Sequence, residues 1–280
     1  MGEINLYASW INGYFKMCEL DTDLVVEIYV DKTPKNSIDP GCYRIIKILE
    51  PFEYVKEEMI NYLRDYRNCY DYILTYHDDI LEEFENSLLS VTPTTWIPEG
   101  YDFKTKEFGV SSLVGDKHNN PHLPQMDGYS ARWELYNSSD SIKIPRRFFL
   151  SSHSPVSELD YSGKLVLGES KNPLFDTQFH IAIENTNLIK NAFSEKLIDC
   201  FQTKTIPIYY GASNIGEFFN LDGIFCANNV EEIIEICNKL NPDTYNSMIE
   251  AIEDNYNRAM DYSYFNISIV DQTKKILKLI

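Results

Sequence analysis

The residues best placed to do chemistry lie in one stretch, Ile183 to Ala212, reading IENTNLIKNAFSEKLIDCFQTKTIPIYYGA. Glu184 and Asn185 follow a short apolar run, Phe179 to Ile183. Ser194, Glu195 and Lys196 open a helix whose Leu197, Ile198 and Phe201 form one apolar face. Ser194 has the side chain of an N-cap. The first turn of a helix offers unpaired N–H groups and a partial positive charge, so it can hold a diphosphate, with Lys196 as the cation. Glu195 is an acceptor-only group suited to sugar or ribose hydroxyls, and Asn185 and Glu184 can serve the same end. A plainer reading stands beside this one: Glu195 complements the helix dipole and Lys196 is solvated.

These residues need strands and helices to position them. EINLYASW, LVVEIYV (24–30), YRIIKILE (43–50) and YDYILTY (70–76) read as strands, being short and rich in β-branched and aromatic residues. Residues 54–67 read as a helix, with Val55, Met59, Ile60 and Leu63 at helical spacing, and 78–89 as a second with acidic residues in its first turn. Strand and helix alternate, the pattern of a parallel α/β sheet. The segment 98–107, PEGYDFKTKE, marks a crossing into a second domain. That domain has a strand at 108–115, a polar loop at 116–129, a helix at 130–139, the strand–helix–strand unit above, and helices at 230–240 and 242–260. The expected fold is α/β, two Rossmann-like domains facing a cleft. The boundaries are 1–100, 101–262, and 263–280 as a C-terminal helix crossing back to the first domain. Ligands of such sheets bind at the carboxyl ends of strands, beside helix N-termini.

Composition narrows the classes. The chain has 280 residues, 44% of them hydrophobic, and a net charge of −18. A core is affordable to fold, and non-specific binding to nucleic acid or anionic membranes is disfavoured. The six cysteines form no C-x-x-C pair, and several lie in apolar runs, which fits buried thiols in a reducing compartment. No leader or run of 18 apolar residues is visible, so a cytoplasmic protein without a membrane segment is expected. His118 and His122 sit in a proline-containing loop rather than on a helix, a poor arrangement for a metal pair.

The motif FHIAIENT…SEKLIDCFQTKTIPIYYGA, with NIGEFFNLDGIFCANN after it, resembles the donor-binding region of family 10 glycosyltransferases, the α1,3-fucosyltransferases. LVGDKHNNPHLPQMDGYSARWELYN is similar to the start of that family's nucleotide domain, YDYILTYHDDIL to an acceptor-domain strand, and KILEPFE loosely to the place of its catalytic Glu. The resemblance implies a two-domain fold of the GT-B type and an inverting transfer from a nucleotide sugar. It implies Arg132 as a phosphate contact with Lys196, and Glu50 as the base, with no metal or other cofactor required. Trp10, Asn12, His77 and Asp79 are the expected acceptor contacts. The segment before the Ser-Glu-Lys departs from the family: NLIKNAF has no Tyr and no Gly, and Ala192 falls about where a Tyr is usual. Those residues read the guanine nucleotide or fucose, so GDP-fucose is in doubt as the donor. Compact relatives occur in large viruses and bacteria that build their own glycans, and likeness to the viral β-xylosyltransferases of that kind implies UDP-xylose as the donor, with GDP-fucose the alternative. The expected acceptor is a hydroxyl of a fucose-containing oligosaccharide.

Other classes remain as rivals. Asp21-Thr22-Asp23 spells a metal-binding Asp-x-Asp, but it precedes its strand and reads as a hairpin turn. A non-catalytic glycan-binding module would use the 20 Tyr, 15 Phe and 3 Trp without needing Arg132, Glu195 and Lys196 to converge. A hydrolase would need two carboxylates such as Glu50 and Asp79.

Overall fold

The structure is a computed structural model that describes residues 1–9, 12–34, 41–49, 57–91, 93–115, 127–151, 163–165, 170–263 and 265–278. Glu50, Trp10, His118 and His122 lie outside the described residues. The chain forms two units, residues 1–92 with 265–280, and residues 93–264.

In the first unit β1 (Gly2–Ala8), β2 (Phe15–Leu20), β3 (Val25–Val30), β4 (Cys42–Lys47), β5 (Tyr72–Thr75) and β6 (Ser87–Leu89) form one sheet, ordered β2-β1-β3-β4-β5-β6. Only β1 and β2 pair antiparallel. The alternation of strand and helix expected from residue 1 therefore does not hold: β1 turns back into β2, and Asp21–Asp23 lies in the turn that leads on to β3. Side chains of period two put Ile4, Leu6, Ala8, Val26, Ile28 and Val30 in one buried cluster, which Ile269 of the helix Phe265–Ile276 joins. Ile46 and Ile73 pack in another with Met59 and Leu63 of α1 (Glu57–Asp65) and Ile80 of α2 (Asp78–Glu83).

Helix α2 stops six residues short of the expected end. Leu81, Phe84 and Leu88 have helical spacing, yet Phe84 is extended and Ser87–Leu89 pairs with β5. Pairing with the edge of β5 satisfies backbone groups there, although it leaves Leu88 and Leu89 exposed. At the end of β4, Lys47 is fully buried. Its Nζ donates to Ser90 O at 2.5 Å and to Ser90 Oγ at 2.8 Å, and Ser90 Oγ donates to Gln272 Oε1 at 2.5 Å.

In the second unit β7 (Glu107–Val114), β8 (Arg146–Ser151), β9 (Gly163–Leu165), β10 (Thr177–Ile183), β11 (Ile206–Tyr210) and β12 (Phe225–Cys226) form an all-parallel sheet, ordered β12-β11-β10-β7-β8-β9. This is the doubly wound order, in which the chain reverses its direction of travel between β7 and β10. Val110, Phe179, Ile181, Ile206 and Ile208 lie in the core with Leu135 of α3 (Asp127–Asn137) and Ile233 of α5 (Val230–Lys239). Helix α4 (Glu195–Gln202) packs on α7 (Ile249–Ser263), and Gln202 Nε2 donates to Ser263 Oγ at 2.6 Å. The helix expected over 242–260 is interrupted at Met248, which separates α6 (Pro242–Ser247) from α7. The helix Phe265–Ile276, belonging to the first unit, is α8.

Helix α3 begins three residues before the expected position. Gly128 explains the difference: its amide donates to Asn185 O at 3.0 Å, and a Cβ there would lie 1.8 Å from Glu184 O. The glycine is needed for close approach of a helix to a strand end, not for a turn.

Candidate functional site

The chain's reversal between β7 and β10 opens a crevice at their carboxyl ends, the place where doubly wound sheets take ligands. A cavity of about 130 Å³ lies there, lined by Leu113 and Gly115 at the end of β7, Ile183 on β10, Arg132 of α3, and Glu195, Lys196 and Asp199 of α4, with Lys171 and His180. Its size suits phosphate groups rather than a whole nucleotide, since pockets for drug-sized ligands run to roughly 300–1,000 Å³.

Helix α4 is set by its own N-terminus. Ser194 Oγ accepts from the Lys196 amide at 3.3 Å, so the cap is where the sequence puts it. Glu184, just past β10 and 5% exposed, turns both oxygens on Ser194, one on its amide at 2.9 Å and the other on its hydroxyl at 2.6 Å. The Glu184 carboxylate is therefore a clamp between the strand end and the helix start. Lys196 Nζ lies 3.1 Å from Ser194 Oγ, 3.2 Å from Glu195 Oε1 and 3.7 Å from Glu184 Oε2. Burial disfavours the Lys196 cation, but Glu195 and Glu184 outweigh it and hold its pKa above the ordinary value. For Glu195, burial favours the neutral acid, yet Lys196 and Lys171 dominate and bring it down to about 2. Glu195 is an anion at any working pH.

Arg132 is buried under the same strand end. Its guanidinium donates from Nε to Ile183 O at 3.1 Å and from Nη2 to Ile183 O and to Asn185 Oδ1, the last at 3.1 Å. It also stacks over the Tyr129 ring, 5.1 Å from the centroid. The structure thus brings Arg132, Glu184, Asn185, Ser194, Glu195 and Lys196 together around one strand end. The sequence-derived candidates Asn12, His77 and Asp79 belong to the first unit. Asn12 is exposed in a bend after β1, Asp79 is exposed in the first turn of α2, and His77 is buried at the N-cap of α2 with its ring stacked on Tyr76 at 4.4 Å.

Three residues of the cavity escaped the sequence reading. Lys171 Nζ lies 3.7 Å from Glu195 Oε1 and 3.7 Å from Asp199 Oδ2, and 5.1 Å over the Trp96 ring. Asp199 is 1% exposed; Oδ1 accepts from Thr95 Oγ1 at 2.7 Å and the Trp96 amide at 2.8 Å, while Oδ2 has no hydrogen-bond partner among the described residues. Burial pushes the Asp199 carboxyl up to about 6, against the pull of Lys171. His180 is buried with Nδ1 2.7 Å from Ser111 Oγ, and burial, with Lys171 and Lys106 adding to it, lowers its pKa to about 3, so the ring stays neutral. The signal for Asp199 was present: it lies one turn after Glu195, between Ile198 and Phe201, where a solvated charge does not belong. Lys171 belongs to no motif. Among the described residues no cluster of three or more His, Cys, Asp or Glu side chains is arranged to hold a metal ion. None of the described helices is long and apolar enough to cross a membrane.

Comparison with solved structures places the fold. A crystal structure of alpha1,3-fucosyltransferase with GDP-fucose aligns with a TM-score of 0.52 at 15% identity, over 89% of this chain and 81% of that chain. The structure of alpha1,3-fucosyltransferase with GDP aligns with a TM-score of 0.51 at 15% identity, over 87% and 77%. The structure of TarM aligns more weakly, with a TM-score of 0.49 at 11% identity, over 89% of this chain and 54% of that one. The fold is α/β with two Rossmann-like units, the GT-B type. No protein-family model and no curated protein sequence matches the chain.

Proposed function

We propose that the protein is an inverting glycosyltransferase that moves a sugar from a nucleoside-diphosphate sugar to a hydroxyl of a fucose-containing glycan. The observation that supports this is the gathering of Arg132, Lys196 and the α4 N-terminus around a phosphate-sized cavity at the switch point of a doubly wound sheet. In such a transfer a base takes the proton of the acceptor hydroxyl, the anomeric carbon passes through an oxocarbenium-like state, and the departing diphosphate gains negative charge. Glu50 is the proposed base. Arg132 and Lys196 hold the diphosphate, and Glu195 and Asn185 orient sugar and ribose hydroxyls. Glu184 acts through Ser194 by fixing the start of α4. Trp10, Asn12, His77 and Asp79 are the proposed acceptor contacts.

UDP-xylose is the proposed donor; NLIKNAF lacks the Tyr and Gly that would read a guanine nucleotide and fucose, which counts against GDP-fucose. GDP-fucose is the alternative, favoured by the likeness to a fucosyltransferase structure solved with that donor. A donor screen with UDP-xylose, GDP-fucose and UDP-glucose, scored by release of nucleoside diphosphate with a fucose-bearing acceptor, decides between them. If no donor turns over, and neither UDP nor GDP raises the Tm at millimolar concentration, the transferase reading fails.

A further inference from the structure

We infer that Lys171 is a third phosphate-binding cation of this cavity, held by Glu195 and Asp199 until a ligand phosphate takes their place, and that it makes the site prefer a diphosphate to a monophosphate. The inference rests on the donor site proposed above and deepens it.

The three cations that line the cavity among the described residues are not equivalent. The Arg132 guanidinium is hydrogen-bonded to Ile183 O and Asn185, and the Lys196 ammonium to Ser194 and Glu195. Lys171 Nζ makes no hydrogen bond among the described residues; its two carboxylate neighbours both stand off at 3.7 Å. The buried Lys47 and the half-buried Lys106 behave differently. Lys47 donates at 2.5 and 2.8 Å, and Lys106 donates to Phe175 O at 2.6 Å and Thr205 Oγ1 at 2.7 Å. The opposite oxygen, Asp199 Oδ2, is buried and also lacks a hydrogen bond among the described residues. The Lys171 ammonium and Asp199 Oδ2 thus face each other at the cavity wall, neither with a hydrogen bond among the described residues.

The position suits a second phosphate. Glu195 Oε1 faces Lys196 at 3.2 Å and Lys171 at 3.7 Å, so two ammonium groups flank one point of the cavity. Adjacent phosphates present two anionic centres to such a pair. Three carboxylates, Glu184, Glu195 and Asp199, balance the charges of Arg132, Lys171 and Lys196. An entering dianion needs one of those cations to exchange partners, and Lys171, without a hydrogen bond to break, exchanges at least cost. Asp199 is then a positioning residue, whose Thr95 and Trp96 bonds fix the carboxylate that aims Lys171. The charged groups facing Asp199 are Lys171 from the segment before β10 and Glu195 from its own helix.

The test is calorimetric binding of UDP and UMP, GDP and GMP, and inorganic pyrophosphate to the full chain. Lys171→Gln is expected to weaken diphosphate and pyrophosphate binding by about 10- to 100-fold, the worth of a charged hydrogen bond, with under about 3-fold loss for the monophosphates. Lys171→Arg should retain most of the diphosphate preference. Since Lys171→Gln leaves Asp199 buried without its cation, Lys171→Gln combined with Asp199→Asn is the second variant, and the same collapse of preference is expected. A merely structural lysine would alter Tm and leave the diphosphate-to-monophosphate ratio as in the wild type; that ratio, unchanged in both variants, overturns the inference and spares the donor site. A wild-type chain that binds none of these ligands overturns both.

Discussion

Replacing Lys47 with Met removes a buried amine whose protonation the fold opposes, and the effect is readable as a dependence of stability on pH. Burial lowers the Lys47 pKa from 10.5 to about 7, with Asp31 only partly opposing it. The geometry agrees, because a neutral amine has two N–H bonds and Ser90 offers two acceptors, whereas an ammonium would bring a third donor. A lysine with a depressed folded pKa binds its proton more readily in the unfolded chain. The folded state therefore gains stability as pH rises from the folded value toward the unfolded one. With 10.5 and about 7 as the two values, the gain between pH 7 and pH 9 is about 2 kcal/mol. Lys47→Met should abolish that increment. Its cost is the two bonds to Ser90, about 1 kcal/mol each, which the removed desolvation penalty offsets at pH 7. The assay is urea unfolding of the whole chain at both pH values, followed by circular dichroism, comparing the transition that moves with pH in the wild type. Equal pH dependence in wild type and Lys47→Met would refute the reasoning, and so would a wild type that becomes less stable over this range.

The other predictions concern the second unit and the reaction. Lys196→Ala should slow turnover with the donor that the screen selects by roughly 100- to 1,000-fold while the circular dichroism spectrum is preserved. Glu50→Ala should fall by a similar ~100- to 10,000-fold; near-normal turnover would remove Glu50 as the base. Ser194→Ala deletes the α4 cap and one Glu184 bond, and should cost about 1–3 kcal/mol in chemical denaturation. Gly128→Ala puts a Cβ 1.8 Å from Glu184 O, so α3 must move and Arg132 with it. It should lower the Tm and weaken diphosphate binding, and a variant with wild-type values of both would show that the helix has slack at that point.

Much of the sheet and of the strand-end site was legible because single segments specified it. Phe179–Ile183, apolar but for His180, and Ile206–Tyr210 are the near-continuous apolar runs that buried parallel strands require, and the Ser194 cap with Leu197, Ile198 and Phe201 marks α4 on one line of sequence. The sequence misled where tertiary pairing overrode local pattern. β6 borrows three residues from a helical periodicity to complete a sheet edge, and β2, with only Leu20 buried, shows no unbroken period-two alternation of apolar and polar residues. Gly128 read as a loop residue because close approach to another backbone leaves no trace along the chain. Lys171 was hidden for a related reason. Its charge makes sense only beside Asp199, and 28 positions separate the two (199 minus 171).

The helix that returns to the first sheet has a consequence for how the protein is made. Ile269 and Gln272 reach the cluster and the buried polar link built by residues 4–90, so those strands cannot acquire their full interior until residues 265–276 have left the ribosome. The second unit, contiguous in sequence, can close first. During synthesis the earlier-made half is the one that waits, with an apolar sheet face for a chaperone to cover.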